Sequence, residues 1–215
     1  MFLTIPDLLT AAEVAAIQQA ARSMPFGDGR ATAGRYAQAV KANDQASPSP
    51  ALDALNEKVS GALTRHPVFA SAVRPRVMTR LILSRYGQGQ TYGSHVDDAL
   101  MQGLRTDVSF TLFLSDPDTY DGGELVVQDT LEDRAIRLTP GSLVIYPSTS
   151  LHRVAPVTRG TRLAVVGWAQ SWVRSVEQRE ILFDLDRSIV ALDAGDLRET
   201  LLKTKSNLLR MWAAD

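Results

Sequence analysis

The sequence contains no cysteine among its 215 residues. That excludes thiolate metal sites, iron–sulfur clusters, cysteine nucleophiles and any disulfide framework. An excess of either charge is also missing, because 23 Lys+Arg stand against 24 Asp+Glu, a formal net charge of −1. A protein that coats nucleic acid or an anionic membrane needs a basic excess, so neither partner is expected. Apolar runs are short, as in Leu163–Val166, and fall well below the ~20 residues that a membrane-spanning helix requires. The opening MFLTIPDLLTAAE has no basic stretch ahead of an apolar one. No secretory leader is therefore expected, and the expectation is a cytoplasmic protein. Histidine is scarce too, with three in the chain. What is present is 45% hydrophobic residues, enough for one full-sized domain with a small appendage.

The periodicity changes twice along the chain. Thr10 followed by Glu13 has capping-box spacing and opens AAEVAAIQQAARSM, a run of helix formers with Val14, Ile17 and Ala21 near one face. PFGDGRATAGR interrupts it, and Ser49-Pro50 opens a second helix, ALDALNEKVSGALTR. From Pro75 the pattern turns to strands: PRVMTRLILSRY, then 107–115, 123–128, 134–138, 142–147, 151–157 and 161–173. Gly122-Gly123, Pro140-Gly141 and Arg159-Gly160 mark turns between them. Short strands at this spacing predict an antiparallel sandwich or barrel. After Arg174 the chain reads as a helical hairpin. Its first helix places Ile181, Leu182, Leu185 and Ile189 on one face, and its second carries Leu197, Leu201, Leu208 and Leu209. The expected organisation is mainly β with flanking helices (α+β): a helical region over 1–74, a β core over 75–175 and a helical extension over 176–215. The terminal Leu/Ile faces are expected to pack on the core or across a homo-oligomer interface.

Chemistry gathers around two of the three histidines. His66 follows the second predicted helix and precedes a proline, which suits a structural role at a helix end. His95 and Asp97 form His-x-Asp in TYGSHVDD. In an extended segment such residues share one side, about 6.5–7 Å apart, and can lean toward one metal ion. His152 opens another predicted strand. Two imidazoles and one carboxylate on one face suit a non-heme Fe(II) oxygenase, which needs the opposite positions open. A lone His-x-Asp is a weak signal, and further parts strengthen it. Arg162 lies across the Arg159-Gly160 turn, ahead of apolar LAVV, where a buried guanidinium requires an anion. Tyr86 and Tyr92 precede His95; either could donate to a bound carboxylate, with packing favoured for Tyr92. A zinc hydrolase with two His and one Asp is a rival reading, but no His-Glu-x-x-His is present and Arg162 would be left without a role.

RYGQGQTYGSHVDD, LFLSDPDTYDGGELVV and PGSLVIYPSTSLHRVAPVTRGTRLAVVGW together resemble the Fe(II)- and 2-oxoglutarate-dependent dioxygenases of prolyl-hydroxylase type, within them the PKHD-type hydroxylases (PiuC/YbiX group). The likeness spans about residues 77–175, and both helical ends also look like that group. The resemblance implies a double-stranded β-helix (jelly-roll) core. It implies iron ligation by His95, Asp97 and His152, and anchoring of 2-oxoglutarate by Arg162 with Tyr86 nearby. Trp168 also fits the pattern, with packing as its expected role. The implied activity is hydroxylation of a small-molecule or peptidyl substrate, coupled to decarboxylation of 2-oxoglutarate to succinate and CO2. Ascorbate as reductant and a link to iron homeostasis come with the same resemblance. A non-catalytic module that senses iron or 2-oxoglutarate would begin with the same ligands and is the alternative. Substrate choice is expected in the loops 25–48 and 98–106, where Arg30, Arg35 and Arg105 could steer an anion or be solvated.

Overall fold

The computed structural model describes residues 1–129 and 131–214. Helix α1 (Ala11–Ser23) starts where the capping box requires: Thr10 Oγ1 accepts from the Glu13 N–H at 3.3 Å and the Glu13 carboxylate accepts from the Thr10 N–H at 2.9 Å. Helix α2 (Pro50–Arg65) is capped by Ser49 and begins on Pro50, whose missing N–H costs nothing there. Helix α3 (Pro67–Val73) ends on Arg74 in the left-handed conformation, φ 47°. Val14 and Ile17 of α1, Leu52, Leu55, Val59 and Leu63 of α2, and Phe69 of α3 form one apolar cluster with Leu83, Phe110, Leu143 and Val165 of the main sheet. Phe69 meets Phe110 edge-on, with ring centroids 5.5 Å apart.

Two antiparallel sheets make the core. The larger runs Leu3–Ile5, Leu143–Pro147, Val108–Phe113, Arg162–Ser171, Ile82–Tyr86, Asp44–Ala46 and Phe26–Asp28, with Pro75–Met78 also paired to Arg162–Ser171. The smaller runs Asp133–Ile136, Leu125–Gln128, His152–Val154, Thr91–His95 and Lys41–Ala42. Every pairing is antiparallel, and most strand neighbours in the two sheets are far apart in sequence, as in a jelly roll. Because helices cover one face of the larger sheet, Val108–Phe113 is buried at every position and shows no alternation.

The structure departs from the sequence expectations in several places. PRVMTRLILSRY is two strands, Pro75–Met78 and Ile82–Tyr86. At the break, the Thr79 N–H donates to the Trp168 carbonyl at 2.9 Å and the Leu81 N–H to Asn56 Oδ1 at 2.7 Å, so the interruption leaves neither amide unpaired. Segment 151–157 splits at Pro156, which has no N–H to give a ladder. Residues 25–48 are not simply a loop: they supply the strands Phe26–Asp28, Lys41–Ala42 and Asp44–Ala46. Within 98–106, Leu100–Met101 and Leu104–Arg105 form a small hairpin.

Helix α4 (Val176–Ala191) and helix α5 (Asp196–Trp212) form the C-terminal hairpin. The buried face of α4 is Arg179, Leu182, Phe183 and Ile189; Ile181 is 47% exposed, and Leu185 is half-buried. Docking of α4 against α3 sets this rotation. Asp186 of α4 receives Ser71 Oγ at 2.5 Å and Arg74 Nη2 at 2.5 Å, which turns position 181 outward. No residue of α5 is fully buried, and Leu197 faces solvent.

Candidate metal centre

Three side chains converge where the smaller sheet faces the cavity. Thr91–His95 and His152–Val154 are antiparallel neighbours with His95 directly opposite His152, and their rings lie 4.3 Å apart, centroid to centroid. The strand stops at His95, but the chain continues extended enough that Val96 points out and Asp97 points in. One ligand atom each from His95, Asp97 and His152 lie within 4.8 Å of one another. The Nε2 of His152 is 3.8 Å from Asp97 Oδ1. His66 sits at the α2–α3 junction and takes no part in the cluster.

Backbone carbonyls choose the tautomers. His95 Nδ1 is 2.8 Å from the Gly93 carbonyl, and His152 Nδ1 is 3.0 Å from the Ser150 carbonyl. A carbonyl only accepts, so each Nδ1 carries the proton and each Nε2 keeps its lone pair for a metal. Burial, aided by the neighbouring His152, pushes the His95 imidazole down to about 4. It is therefore neutral, the form that ligates, across the physiological range. Asp97 is held as well: its Oδ2 accepts from Ser109 Oγ at 2.6 Å, and Ser109 shares a 2.8 Å hydrogen bond with Ser148. Tyr92 stacks on His95 at 3.6 Å and Tyr146 meets His152 edge-on at 5.1 Å, so both rings are braced. Burial, followed by the charge of Asp97, raises the Tyr92 hydroxyl well above its ordinary value, so it stays protonated, and its ring packs on His95.

Arg162 begins a strand of the opposite sheet, paired with Tyr86, and is 1% exposed. Its Nε has no hydrogen-bond partner, and among the described residues no carboxylate lies within 4 Å of its guanidinium. Around it are the rings of Tyr86 and Phe113, each 5.3 Å from the guanidinium carbon. Burial raises the Tyr86 hydroxyl to about 12, against the opposing pull of Arg162, so it stays a neutral donor. Gly123, at φ 68°, lets the Gly-Gly turn press on this arginine: a Cβ there would lie 3.1 Å from Arg162 Cδ and 2.9 Å from Val157. A buried cation without an anion is costly, and it fits a carboxylate delivered by a ligand.

Arg162 and the three candidate ligands line one solvent-connected cavity, with Tyr86, Tyr92 and Trp168. The donor set, two imidazole nitrogens and one carboxylate, suits a divalent first-row metal with open positions. Ser109, Ser148 and Lys41 were not legible as site residues. Ser109 shares the run VSFTLF with a second polar residue, Thr111, so the sequence did not single it out. Arg30 pairs with Asp28 and Arg105 with Asp107, Arg35 is exposed, and none of the three lines the cavity.

The chain is similar to known proteins over most of its length. A family model described as the 2OG-Fe(II) oxygenase superfamily matches residues 81–170. A PKHD-type hydroxylase of Maricaulis maris is 52% identical over 194 residues, covering 88% of this chain and 89% of that one. A PKHD-type hydroxylase of Picosynechococcus sp. is 47% identical, covering 99% of this chain and all of its own. Among solved structures, a Pseudomonas putida prolyl-4-hydroxylase aligns with a TM-score of 0.55 at 19% identity, covering 79% of this chain and 92% of that one. A Trichoplax adhaerens prolyl hydroxylase, solved with a hypoxia inducible factor peptide fragment, aligns with a TM-score of 0.60 at 17% identity over 84% and 86%. At these identities the two structures speak to the fold.

Proposed function

The chain belongs to the 2OG-Fe(II) oxygenase superfamily as a PKHD-type hydroxylase, and from that premise we propose that His95, Asp97 and His152 hold Fe(II) while Arg162 anchors 2-oxoglutarate. The enzyme is a 2-oxoglutarate-dependent dioxygenase, and the proposed reaction hydroxylates a C–H bond of a small-molecule or peptidyl substrate. The observation that carries the site assignment is the buried, anion-less Arg162 lining the same cavity as the His-Asp-His cluster. Bound Fe(II) and 2-oxoglutarate supply the oxidising chemistry, in which dioxygen is consumed and 2-oxoglutarate leaves as succinate and CO2.

The residues of the chain contribute position and charge. The Gly93 and Ser150 carbonyls hold the two imidazoles as Nδ1–H tautomers, so both Nε2 atoms remain ligands. Ser109 occupies Asp97 Oδ2 and leaves Oδ1 for the metal. Arg162 presents its donors to the distal carboxylate of the co-substrate, and Tyr86, kept protonated by burial, faces the same wall. Val154 and Leu125 contribute apolar lining that excludes water from the reacting centre. No proton has to be moved by a side-chain acid–base pair. Ascorbate as reductant and a place in iron homeostasis are proposed on the resemblance alone.

The test is Fe(II)-dependent release of succinate from 2-oxoglutarate by the purified chain, with and without candidate substrates. Slow turnover without substrate is expected, and His95→Ala should abolish both iron retention and succinate release. Wild-type turnover in that variant would remove His95 from the metal. Iron and 2-oxoglutarate binding with no turnover under any condition would favour the sensing module instead.

A further inference from the structure

Lys41 lies in the short strand Lys41–Ala42 at the edge of the smaller sheet, opposite Tyr92, and lines the cavity of the candidate metal centre. It is 7% exposed. Burying an ammonium costs several kcal/mol unless an anion compensates it. Among the described residues no carboxylate lies within 4 Å of Lys41 Nζ. Its contacts are Thr32 Oγ1 at 3.2 Å and the Tyr92 ring, 4.8 Å from Nζ to centroid. Thr32 Oγ1 is itself fixed by donating to Gln45 Oε1 at 2.7 Å. Lys41, Thr32 and Gln45 all line the cavity, so the ammonium is aimed by a polar wall and braced by the ring that stacks on His95.

Arg162 stands on the other sheet, paired with Tyr86, while Lys41 stands on the smaller sheet opposite Tyr92. The cavity therefore holds two buried cations on opposite sheets, and neither has a carboxylate within 4 Å among the described residues. We propose that Lys41 receives an oxyanion of the substrate, a carboxylate or a phosphate, and so sets the substrate class as anionic. This rests on the assignment of 2-oxoglutarate to Arg162, which leaves Lys41 for a second ligand. Trp168, whose buried Nε1–H has no partner, lines the same cavity and is a further donor there.

Burial lowers the Lys41 ammonium to about 8, with Asp97 and Asp28 opposing it, so a neutral amine is accessible to reagents at mildly alkaline pH. The chain has four lysines, Lys41, Lys58, Lys203 and Lys205, and each can be followed separately by mass spectrometry. The experiment is a short pulse of a small uncharged acylating reagent at pH 8 on the full chain. It is run in acetate, in inorganic phosphate and in chloride at equal ionic strength. Acetate or phosphate at ten times its Kd should slow acylation of Lys41 about tenfold relative to chloride, while the other three lysines respond alike in every buffer. Whichever anion protects identifies the source of the oxyanion. Equal acylation of Lys41 in all three buffers overturns the proposal.

Two further arms close the remaining outcomes. A saturating dose of 2-oxoglutarate under nitrogen should leave Lys41 unprotected; protection at that dose would put Lys41 on the co-substrate and overturn the proposal. If Lys41 resists the reagent in every buffer, the thermal shift given by the same anions decides. With Arg162 occupied by saturating 2-oxoglutarate under nitrogen, the shift should persist in Lys41→Arg and vanish in Lys41→Met, and a shift retained in Lys41→Met overturns the proposal. Failure of the wild-type chain to convert 2-oxoglutarate would remove the dioxygenase reading while leaving the anion protection of Lys41 to be read separately.

Discussion

At the scale of residues, the candidate site is ordered because each proposed ligand has its other hydrogen-bonding atom already engaged. His95 and His152 give their Nδ1 protons to carbonyls two residues upstream, and Asp97 gives one oxygen to Ser109. Ser109→Ala should therefore weaken metal affinity by about 10–100-fold without removing a ligand. Titration with Fe(II) or Mn(II) measures this, and unchanged affinity would mean that the Ser109 contact is incidental. Arg162→Ala should raise the 2-oxoglutarate concentration needed for turnover steeply while iron retention stays near wild type. A lost metal in that variant would show that the arginine supports the fold of the site rather than the co-substrate. The sequence carried these principal residues because each is a rare type at a telling position: two of only three histidines, and an arginine opening an apolar strand. It could not carry Ser109, Ser148 or Lys41, since serine inside a strand and lysine at a strand edge are common and their meaning lies in what stands opposite.

At the scale of elements, local chemistry decided where helices begin, and tertiary docking decided which face they bury. Thr10–Glu13 and Ser49-Pro50 set the starts of α1 and α2 through orphan amides that only neighbouring residues can reach. The face of α4 is different: the ions gathered on Asp186 rotate it, and Ile181 is turned out. Asp186 binds Ser71, Arg74 and Lys205, linking α3, α4 and α5. Burial raises its carboxyl, but the hydrogen bonds of Lys205 and Ser71 and the charges of Arg74 and Lys205 outweigh that and hold it below the usual carboxylate range. A carboxyl lowered in the folded state adds stability above its unfolded value, and that stability is lost as pH falls through the folded value. Asp186→Asn should cost about 1–3 kcal/mol near neutrality. Its deficit against wild type should shrink as the pH drops below about 4. Denaturant melts of the two proteins across that range test this, and a constant deficit would show that the carboxylate charge is not what joins the helices.

At the scale of the whole molecule, two sheets bring the proposed anchor and the proposed metal ligands to one cavity from opposite sides. The smaller sheet presents His95 and His152, the larger presents Arg162, and no local segment contains both. Metal binding should therefore stabilise the entire fold, because its ligands come from separate strands. A metal at one hundred times its Kd should add about 2.7 kcal/mol. Calorimetry with and without Mn(II) would show the rise, and it should disappear in His152→Ala. An equal rise in that variant would place the ion elsewhere. No helix among the described residues is long and apolar enough to cross a membrane, as the short apolar runs implied.

Composition, caps and motif spacing by themselves determined the helix starts, the β character of the middle and the rare residues that bear chemistry, and the resemblance of three segments to a known family pointed to the family. These are signals that act within a few residues or that depend on residue type. The tertiary structure alone decided that His95 stands opposite His152, that Arg162 is left without an anion, and that Lys41 shares their cavity. The physical reason is that strand register and sheet-on-sheet packing join positions dozens of residues apart, and desolvation, which turns an ordinary arginine or lysine into a binding group, exists only after that packing.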